Sequence, residues 1–435
     1  MTNPHRIHLQ TNPHRIHLQT NLRRIHLQTN RHLIDEPQQS VKPHLLIFQP
    51  SSLCNLNCTY CYVPNRRDRA VMSESTLRAA LRLLLSHCGF EDSIRILWHA
   101  GEPLAVGLEF FERAANIIDE CNPGGVRIVQ SMQTNGTLIN KEWCEFFVRE
   151  SILVGVSVDG PAAVHNSHRR TLGNGPTHAQ VMRGVDLLKQ YDIPLHAIAV
   201  LTPYSLNFAN EIFDFFVEAE FKSIGFNLEE TEGVHSSAFN DQKTKAIEFR
   251  EKYKIFMSRV FDRWHTAGRQ PRIREFETMI LAIRAFLKNH AFNRTTDDLT
   301  PFRNIVVTRE GEISTFSPEL ASGVPSDPLL FSIGNVHKID SFDKLIANQK
   351  FRNLAEEISR GVTRCQSDCE YFPICGGGTA SNKFYENGTF DCTETMNCAL
   401  HRKTLAHVVA DGLRNFAIHK SPTEPLVPKV AAFCN

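Results

Sequence analysis

The chain has 435 residues, enough for two or three domains or for one large barrel with appendages. Its 48 Lys+Arg against 47 Asp+Glu leave a net charge of +1, which gives no electrostatic case for nucleic acid or for bulk membrane binding. No window approaches about 18 uninterrupted apolar residues, so no membrane-crossing helix is expected. Twelve cysteines gathered in metal-like groups within a long chain read as a reducing, cytoplasmic setting rather than a secreted disulfide framework.

Residues 1–40 differ from everything after them. The nonapeptide Thr2-Asn3-Pro4-His5-Arg6-Ile7-His8-Leu9-Gln10 recurs at 11–19 and again, with Leu22 and Arg23 changed, at 20–28. Each copy has only Ile and Leu to bury, too little to offset the entropy of ordering, so a disordered tail is expected. An expanded nucleotide repeat is the simplest origin. A His-rich metal binder, an Arg-rich transit-like peptide and a partner-binding arm are the alternatives.

His44-Leu45-Leu46-Ile47-Phe48 then reads as a buried strand, and just past its end comes Cys54-Asn55-Leu56-Asn57-Cys58-Thr59-Tyr60-Cys61. This C-x3-C-x2-C loop offers three thiolates where a closed site wants four. A [4Fe–4S] cube held by three cysteines keeps one iron open for chemistry. The loop, in the form Ser-x-Cys-Asn-Leu-x-Cys-x-Tyr-Cys-Tyr, resembles the cluster-binding signature of radical S-adenosylmethionine (SAM) enzymes of the branch that modifies peptides and proteins. The resemblance implies that Cys54, Cys58 and Cys61 hold the cluster, and that the open iron chelates SAM and cleaves it to a 5′-deoxyadenosyl radical.

From residue 41 to about 235 short apolar runs alternate with amphipathic ones. Strands are predicted at 44–49, 93–99, 126–133, 152–158, 195–202 and 223–229, and helices near 73–88, 107–121, 140–150, 177–191 and 207–220. The first helix opens at Ser73, a good N-cap, ahead of Leu77, Leu81, Leu84 and Leu85. Six βα units predict an α/β fold, a partial (β/α)6 TIM-like barrel open along one side, with the site at the C-terminal ends of its strands. At those ends lie Trp98-His99-Ala100-Gly101-Glu102-Pro103, Gln133-Thr134-Asn135-Gly136 and Ser157-Val158-Asp159-Gly160-Pro161. Each alone suits an ordinary turn. Placed after the cysteine loop, they resemble the family's SAM-contacting segments, with Ala100 in place of a glycine. That implies SAM contacts at Gly101, Glu102, Ser157, Asp159 and Arg169, with the adjacent Arg170 an open alternative. A Gly-Glu-Pro turn also offers exposed carbonyls and a carboxylate to an ammonium group.

Residues 236–300 read as a helical linker region, with helices at 241–266 and 273–289. Residues 301–418 then carry a hairpin over Ile305–Phe316 and a second cysteine group, Cys365, Cys369, Cys375, Cys392 and Cys398, around Gly376-Gly377-Gly378. Spacing without paired C-x2-C knuckles favours iron–sulfur over a zinc ribbon. The stretch resembles the SPASM/twitch-like region of peptide-modifying radical SAM enzymes. Because Ser314-Thr315-Phe316-Ser317-Pro318-Glu319 lacks the hairpin cysteine of a full SPASM region, one auxiliary [4Fe–4S] cluster is expected. Residues 419–435 read as a flexible tail. Cys88, Cys121 and Cys144 read as buried small hydrophobes in helices, and Cys434 as incidental.

Over residues 44–415 the phrases Gln133 to Leu138, His168-Arg169-Arg170-Thr171, Ile313 to Glu319, Gly376 to Lys383 and Phe384 to Gly388 resemble the cyclophane-forming GrrM/OscB-type peptide maturases. The resemblance implies a ribosomally made precursor peptide, possessing glycine-rich repeats, as substrate. The reaction would join a β-carbon to a nearby aromatic ring, with an external donor such as a flavodoxin or ferredoxin supplying electrons. Glu229, Glu230 and Glu232 follow the last barrel strand and are candidates for the base; a solvated acidic turn is the plainer reading. The precursor's extended backbone is expected to pair with an exposed strand edge. Two other functions fit the same motifs: an anaerobic sulfatase-maturing, formylglycine-generating enzyme, and a non-enzymatic zinc and peptide-binding scaffold.

Overall fold

The computed structural model describes residues 43–86, 93–238, 243–288 and 296–418. The repeat segment, the C-terminal tail, Cys88 and Cys434 lie outside the described residues.

The six predicted strands form as β1 (Leu45–Gln49), β2 (Ser93–Trp98), β3 (Arg127–Thr134), β4 (Leu153–Ser157), β5 (His196–Leu201) and β6 (Ser223–Leu228), all paired in parallel in that order. Between them run α1 (Glu74–Leu85), α2 (Leu108–Cys121), α3 (Lys141–Arg149), α4 (Ala162–His168), α5 (His178–Gln190) and α6 (Ala209–Glu218). Caps set the starts: Ser73 Oγ accepts from Thr76 N at 3.1 Å, and Asn140 Oδ1 accepts from Trp143 N at 2.9 Å. On α1, Leu77, Leu81 and Leu84 are buried as predicted, with Leu83 rather than Leu85 completing the core face.

β2 shows why the sheet stacks against its helices. Ile94, Ile96 and Trp98 point one way and are buried, and the fully covered Trp98 indole stands edge-on to Phe111 at 5.3 Å and lies 5.4 Å from Phe48 of β1. Burying such an aromatic contributes roughly 3 kcal/mol relative to exposure. Cys121 and Cys144 are buried on α2 and α3, in keeping with their reading as small hydrophobes.

The sheet does not stop at six strands. β7 (Arg272–Ile273) adds to β6. On the other side β8 (Asn304–Thr308) pairs in parallel with β1, from Leu45 opposite Asn304 to Gln49 opposite Thr308. β8 turns back into β9 (Glu312–Thr315), which pairs antiparallel with β10 (Gly334–Asn335). The order is β10-β9-β8-β1-β2-β3-β4-β5-β6-β7, a single ten-stranded open sheet. The predicted hairpin therefore continues the barrel's own sheet. Both edge strands of the described residues are two residues long.

Two helices, α7 (Lys243–Thr266) and α8 (Arg274–Leu287), fill the stretch between β6 and β8 on either side of β7. After β10 come α9 (Phe342–Ala347), α10 (Gln349–Asp368), α11 (Phe372–Cys375), α12 (Ala380–Asn387), a π turn over Cys398–Thr404, and α13 (Leu405–Ile418), which packs on α7 and α8. No helix among the described residues is long and apolar enough to cross a membrane.

Candidate active site

The cysteine loop sits where β1 ends, and three neighbours fix it. Cys54 N donates to Arg66 O at 2.9 Å, Asn57 N to Arg170 O at 2.7 Å, and Thr59 N to His168 O at 3.1 Å, so the segment after β4 clamps the loop from one side. The Gly101-Glu102 turn clamps it from the other. Gly101 has φ +56°, and a Cβ there would meet Leu53 O at 2.4 Å, so only glycine allows this approach. Glu102 N then donates to Leu53 O at 2.7 Å.

The Glu102 side chain is not the exposed carboxylate the sequence led one to expect. It is 1% exposed and accepts from Thr134 Oγ1 at 2.6 Å, Asn135 N at 2.6 Å and Leu104 N at 3.0 Å. Burial pushes its carboxyl up to about 7 against the pull of those donors. Glu102 thus ties the ends of β2 and β3 together. Asn135, held in that way, donates from Nδ2 to Asn55 Oδ1 at 2.9 Å inside the loop. Ser157 Oγ, at the end of β4, accepts from Gln133 Nε2 at 2.9 Å.

Asp159 and Arg169, read separately in the sequence as cofactor contacts, meet each other. Arg169 donates from Nε to Asp159 Oδ2 at 2.9 Å and from Nη2 to Oδ1 at 3.0 Å, with Asp159 2% and Arg169 6% exposed. Tyr60, the aromatic residue before the third cysteine, donates to Asp159 Oδ2 at 2.6 Å, and the Arg169 guanidinium lies 5.4 Å from its ring. Burial alone would raise the Asp159 carboxyl; the Arg169 charge overrides it and holds it below the usual range. Arg170 turns outward to Asn166 O and Asn174 Oδ1, so of the two arginines it is Arg169 that faces the cysteine loop.

Burial first, then the Glu102 carboxylate, pushes the Cys54 thiol up to about 12. Burial pushes Cys58 up to about 11, with Arg169 pulling the other way. Cys54 interacts electrostatically with both Cys58 and Cys61, so the three thiols share one space. Among the described residues no three His, Cys, Asp or Glu side chains converge at single-ion distance. An open set of three soft thiols on one loop, with Cys54 and Cys58 held protonated by burial until metal displaces the protons, fits an iron–sulfur cube.

In the second group Cys365, Cys369, Cys375 and Cys398 line one cavity of about 260 Å³. Gly376, Gly377 and Gly378 all have positive φ, and this left-handed run turns Gly377 O to accept from Cys365 Sγ at 3.8 Å. Lys383, 2% exposed, donates to Cys365 Sγ at 3.4 Å. Cys392 stands apart: its thiol meets Thr389 O at 3.4 Å and accepts from Asn387 Nδ2 at 3.3 Å. The structure thus brings four of the five cysteines together. We expect Cys392→Ala to retain the auxiliary iron and sulfide of the wild type after anaerobic reconstitution, and Cys375→Ala to lose it; equal losses in both would contradict this division.

The three glutamates after β6 are not a solvated turn. Glu229 is 9% exposed and bonded to His235 Nε2 at 3.0 Å, Glu232 is 5% exposed, and half-buried Glu230 accepts from Asn397 Nδ2. Glu319, which the sequence signalled only as a departure from a cysteine pattern, is half-buried near Glu230, and its carboxyl is pushed up to about 8 by burial and then Asp298.

The family model of the Radical SAM superfamily matches residues 48–216, from β1 through α6. This chain belongs to the radical SAM superfamily. An uncharacterized protein of Synechocystis sp. is 37% identical over 375 residues, 85% of this chain and 92% of that one. The cysteine-type anaerobic sulfatase-maturating enzyme of Clostridium perfringens is 31% identical over 257 residues, 55% of this chain and 65% of the enzyme. Among solved structures, anSMEcpe with bound AdoMet and Cp18Cys peptide superposes with TM-score 0.70 at 24% identity, over 86% of this chain and 99% of that one. Streptococcus suis SuiB bound to precursor peptide SuiA superposes with TM-score 0.57 at 15% identity, over 90% and 82%. This radical SAM chain is therefore an enzyme whose cofactors are SAM and a [4Fe–4S] cluster, and the non-enzymatic zinc scaffold falls.

Proposed function

We propose that this radical SAM enzyme modifies a ribosomally made precursor peptide, by a C–C crosslink between a β-carbon and an aromatic ring. The observation that carries the reading is the placement of the segment after β6. Its Glu230 bonds Asn397, next to Cys398, while Gly233 packs on Tyr62 O, next to Cys61. One loop thus spans from the SAM-site cysteines to the auxiliary ones, and a substrate lying along it meets both. Two relatives in fold support a peptide in that place, since anSMEcpe and SuiB are solved with a peptide and a precursor peptide bound.

Cys54, Cys58 and Cys61 would hold the SAM cluster, and Cys365, Cys369, Cys375 and Cys398 the auxiliary one. When bound, the first supplies hydrogen-atom abstraction through SAM and the second a sink for the electron left over. The chain's own residues do the rest. Glu102, Asn135 and Gln133 fix the strand ends where Gly101 and Ser157 would face SAM; Asp159 and Arg169 hold Tyr60 and with it the third cysteine. Crosslinking also frees one ring proton, for which Glu229, Glu230 and Glu232 are the candidate acceptors, the first bonded to His235 and the second to Asn397. A flavodoxin or ferredoxin would return electrons.

A sulfatase-maturing activity is the second reading, favoured by the 31% identity to the Clostridium enzyme. Mass spectrometry of a precursor encoded beside the gene, co-expressed with the enzyme, decides. Loss of two hydrogens per site with linked fragment ions is expected. A single-residue aldehyde gives the second reading, and unmodified precursor beside active SAM cleavage contradicts both.

A further inference from the structure

One deeply buried cation beside the second cysteine group has no role so far. Lys383 on α12 is 2% exposed, and its Nζ donates to Gly361 O at 2.9 Å and to Cys365 Sγ at 3.4 Å, both on α10. Among the described residues no carboxylate comes within ion-pair distance of it. The acids on neighbouring elements are held elsewhere: Asp391 by Arg360 and Arg364, Glu357 by Thr389 Oγ1 and Phe390 N, and Glu386 by Met396 N. Lysine is almost never fully covered without a paired charge, because taking an ammonium out of water costs far more than one carbonyl returns. The polypeptide alone does not supply that charge.

The backbone makes room for this approach. Gly361 lies inside α10, where glycine is unfavourable relative to alanine. A Cβ there would meet Phe390 O at 2.0 Å and Lys383 Nζ at 3.2 Å, so the helix gives up a side chain to admit both. Cys365 follows one helical turn later on the same face, where the ammonium reaches its sulfur. Cys365 also lines the second cavity with Cys369, Cys375 and Cys398. As a thiol it meets Gly377 O at 3.8 Å and Thr393 O at 3.7 Å. As a thiolate it has no proton for either carbonyl, and Lys383 remains as its donor. Four thiolates on a [4Fe–4S] core leave a net negative charge, and one added electron makes it more negative.

We propose that Lys383 is the built-in countercharge of the auxiliary cluster, donating its ammonium to the iron-bound Cys365 thiolate and raising the cluster's affinity for an electron. The proposal rests on the auxiliary-cluster reading of the second cavity and assigns a residue that sets its potential. Lys383 is a positioning residue that acts through Cys365. A fixed cation in a covered, low-dielectric place favours the more negative, reduced form, and a hydrogen bond to a ligand sulfur acts in the same direction. One electron enters, from the substrate radical of the proposed crosslinking or from the titrant in the test below, and no bond or proton changes at Lys383. A cluster made easier to reduce in this way suits the part of acceptor for the electron that crosslinking leaves over.

The test uses the full chain with Cys54, Cys58 and Cys61 replaced by alanine, so that only the auxiliary centre loads on anaerobic reconstitution. Iron and sulfide are measured first, and the midpoint is then read from the electron paramagnetic resonance signal of the reduced cluster during a potentiometric titration. Lys383→Met and Lys383→Gln are each expected to bind the electron at least tenfold more weakly, a fall of about 59 mV for a one-electron couple. Lys383→Arg, which keeps the charge, should fall by less than half as much. Neutral variants that load no cluster where Lys383→Arg does also support the countercharge. A loaded neutral variant with the parent's midpoint, or Lys383→Arg behaving as the neutral variants do, overturns the proposal alone. A parent chain that takes up no iron removes the auxiliary-cluster reading and the proposal with it.

Discussion

Replacing Cys54, Cys58 and Cys61 together with alanine is expected to lower 5′-deoxyadenosine production from SAM by more than about a thousandfold, over about 4 kcal/mol at 1.36 kcal/mol per decade. Each thiol belongs to one open set on a loop held by Arg66, His168, Arg170 and the Gly101 turn; the backbone bonds to these neighbours do not involve the sulfurs, and only Leu56 N, donating to Cys54 Sγ at 3.4 Å, does. The loop should therefore keep its course without them. The four cysteines of the second cavity are untouched, so reconstituted iron and sulfide should fall only in part. Absorbance, iron content and product chromatography on one preparation check this. Retained SAM cleavage contradicts the assignment, and complete loss of iron contradicts the independence of the two groups.

Arg169→Met should be the most damaging single change outside the cysteines. It leaves Asp159 buried with Tyr60 and Val200 N as donors but no cation, and breaking a buried pair in this way costs about 3–5 kcal/mol. Burial, no longer overridden, would then raise Asp159, so the variant should also lose stability as pH rises, because the unfolded carboxyl ionises first. Asp159→Asn in the same chain removes the stranded charge and should recover part of the loss. Arg170→Met, whose partners are Asn166 O and Asn174, should cost no more than about 1 kcal/mol. Urea unfolding of the four chains measures this. Equal costs for the two arginines would contradict the buried brace.

Periodicity carried the barrel well, because its strands are apolar runs of five to eight residues and its helices bury one face. All six predicted strands and the five helices between them form within about three residues of their predicted ends. What the pattern could not carry was partnership between distant segments. β8 reads as one arm of a hairpin, and nothing in Asn304–Thr308 says that its other neighbour is β1, some two hundred and fifty residues earlier. The helices after β10 are hidden for a different reason: α10 is charged and amphipathic, and Cys365 near its end makes the stretch read as a metal-binding loop.

The site divides in the same way. The cysteine loop is legible because its chemistry is local in sequence. The Asp159–Arg169 pair was visible as two residues but not as a pair, since the choice between Arg169 and Arg170 depends on which side of α4's end faces inward. Tyr60 carried a usable signal, an aromatic residue inside the cysteine motif, whose purpose appears only with Asp159 beside it. Cys392 and Cys398 are alike in sequence, and a turn around Thr389 directs only the latter to the cavity. Glu319 is legible only once β9 places it beside the loop after β6.

The most direct test of the account is SAM turnover by the wild-type chain. After anaerobic reconstitution with iron and sulfide, the enzyme should show [4Fe–4S] absorbance and, on reduction with dithionite and addition of SAM, form 5′-deoxyadenosine and methionine in equal amounts. An intact cluster spectrum with no 5′-deoxyadenosine would contradict the claim that Cys54, Cys58 and Cys61 leave an iron open to SAM.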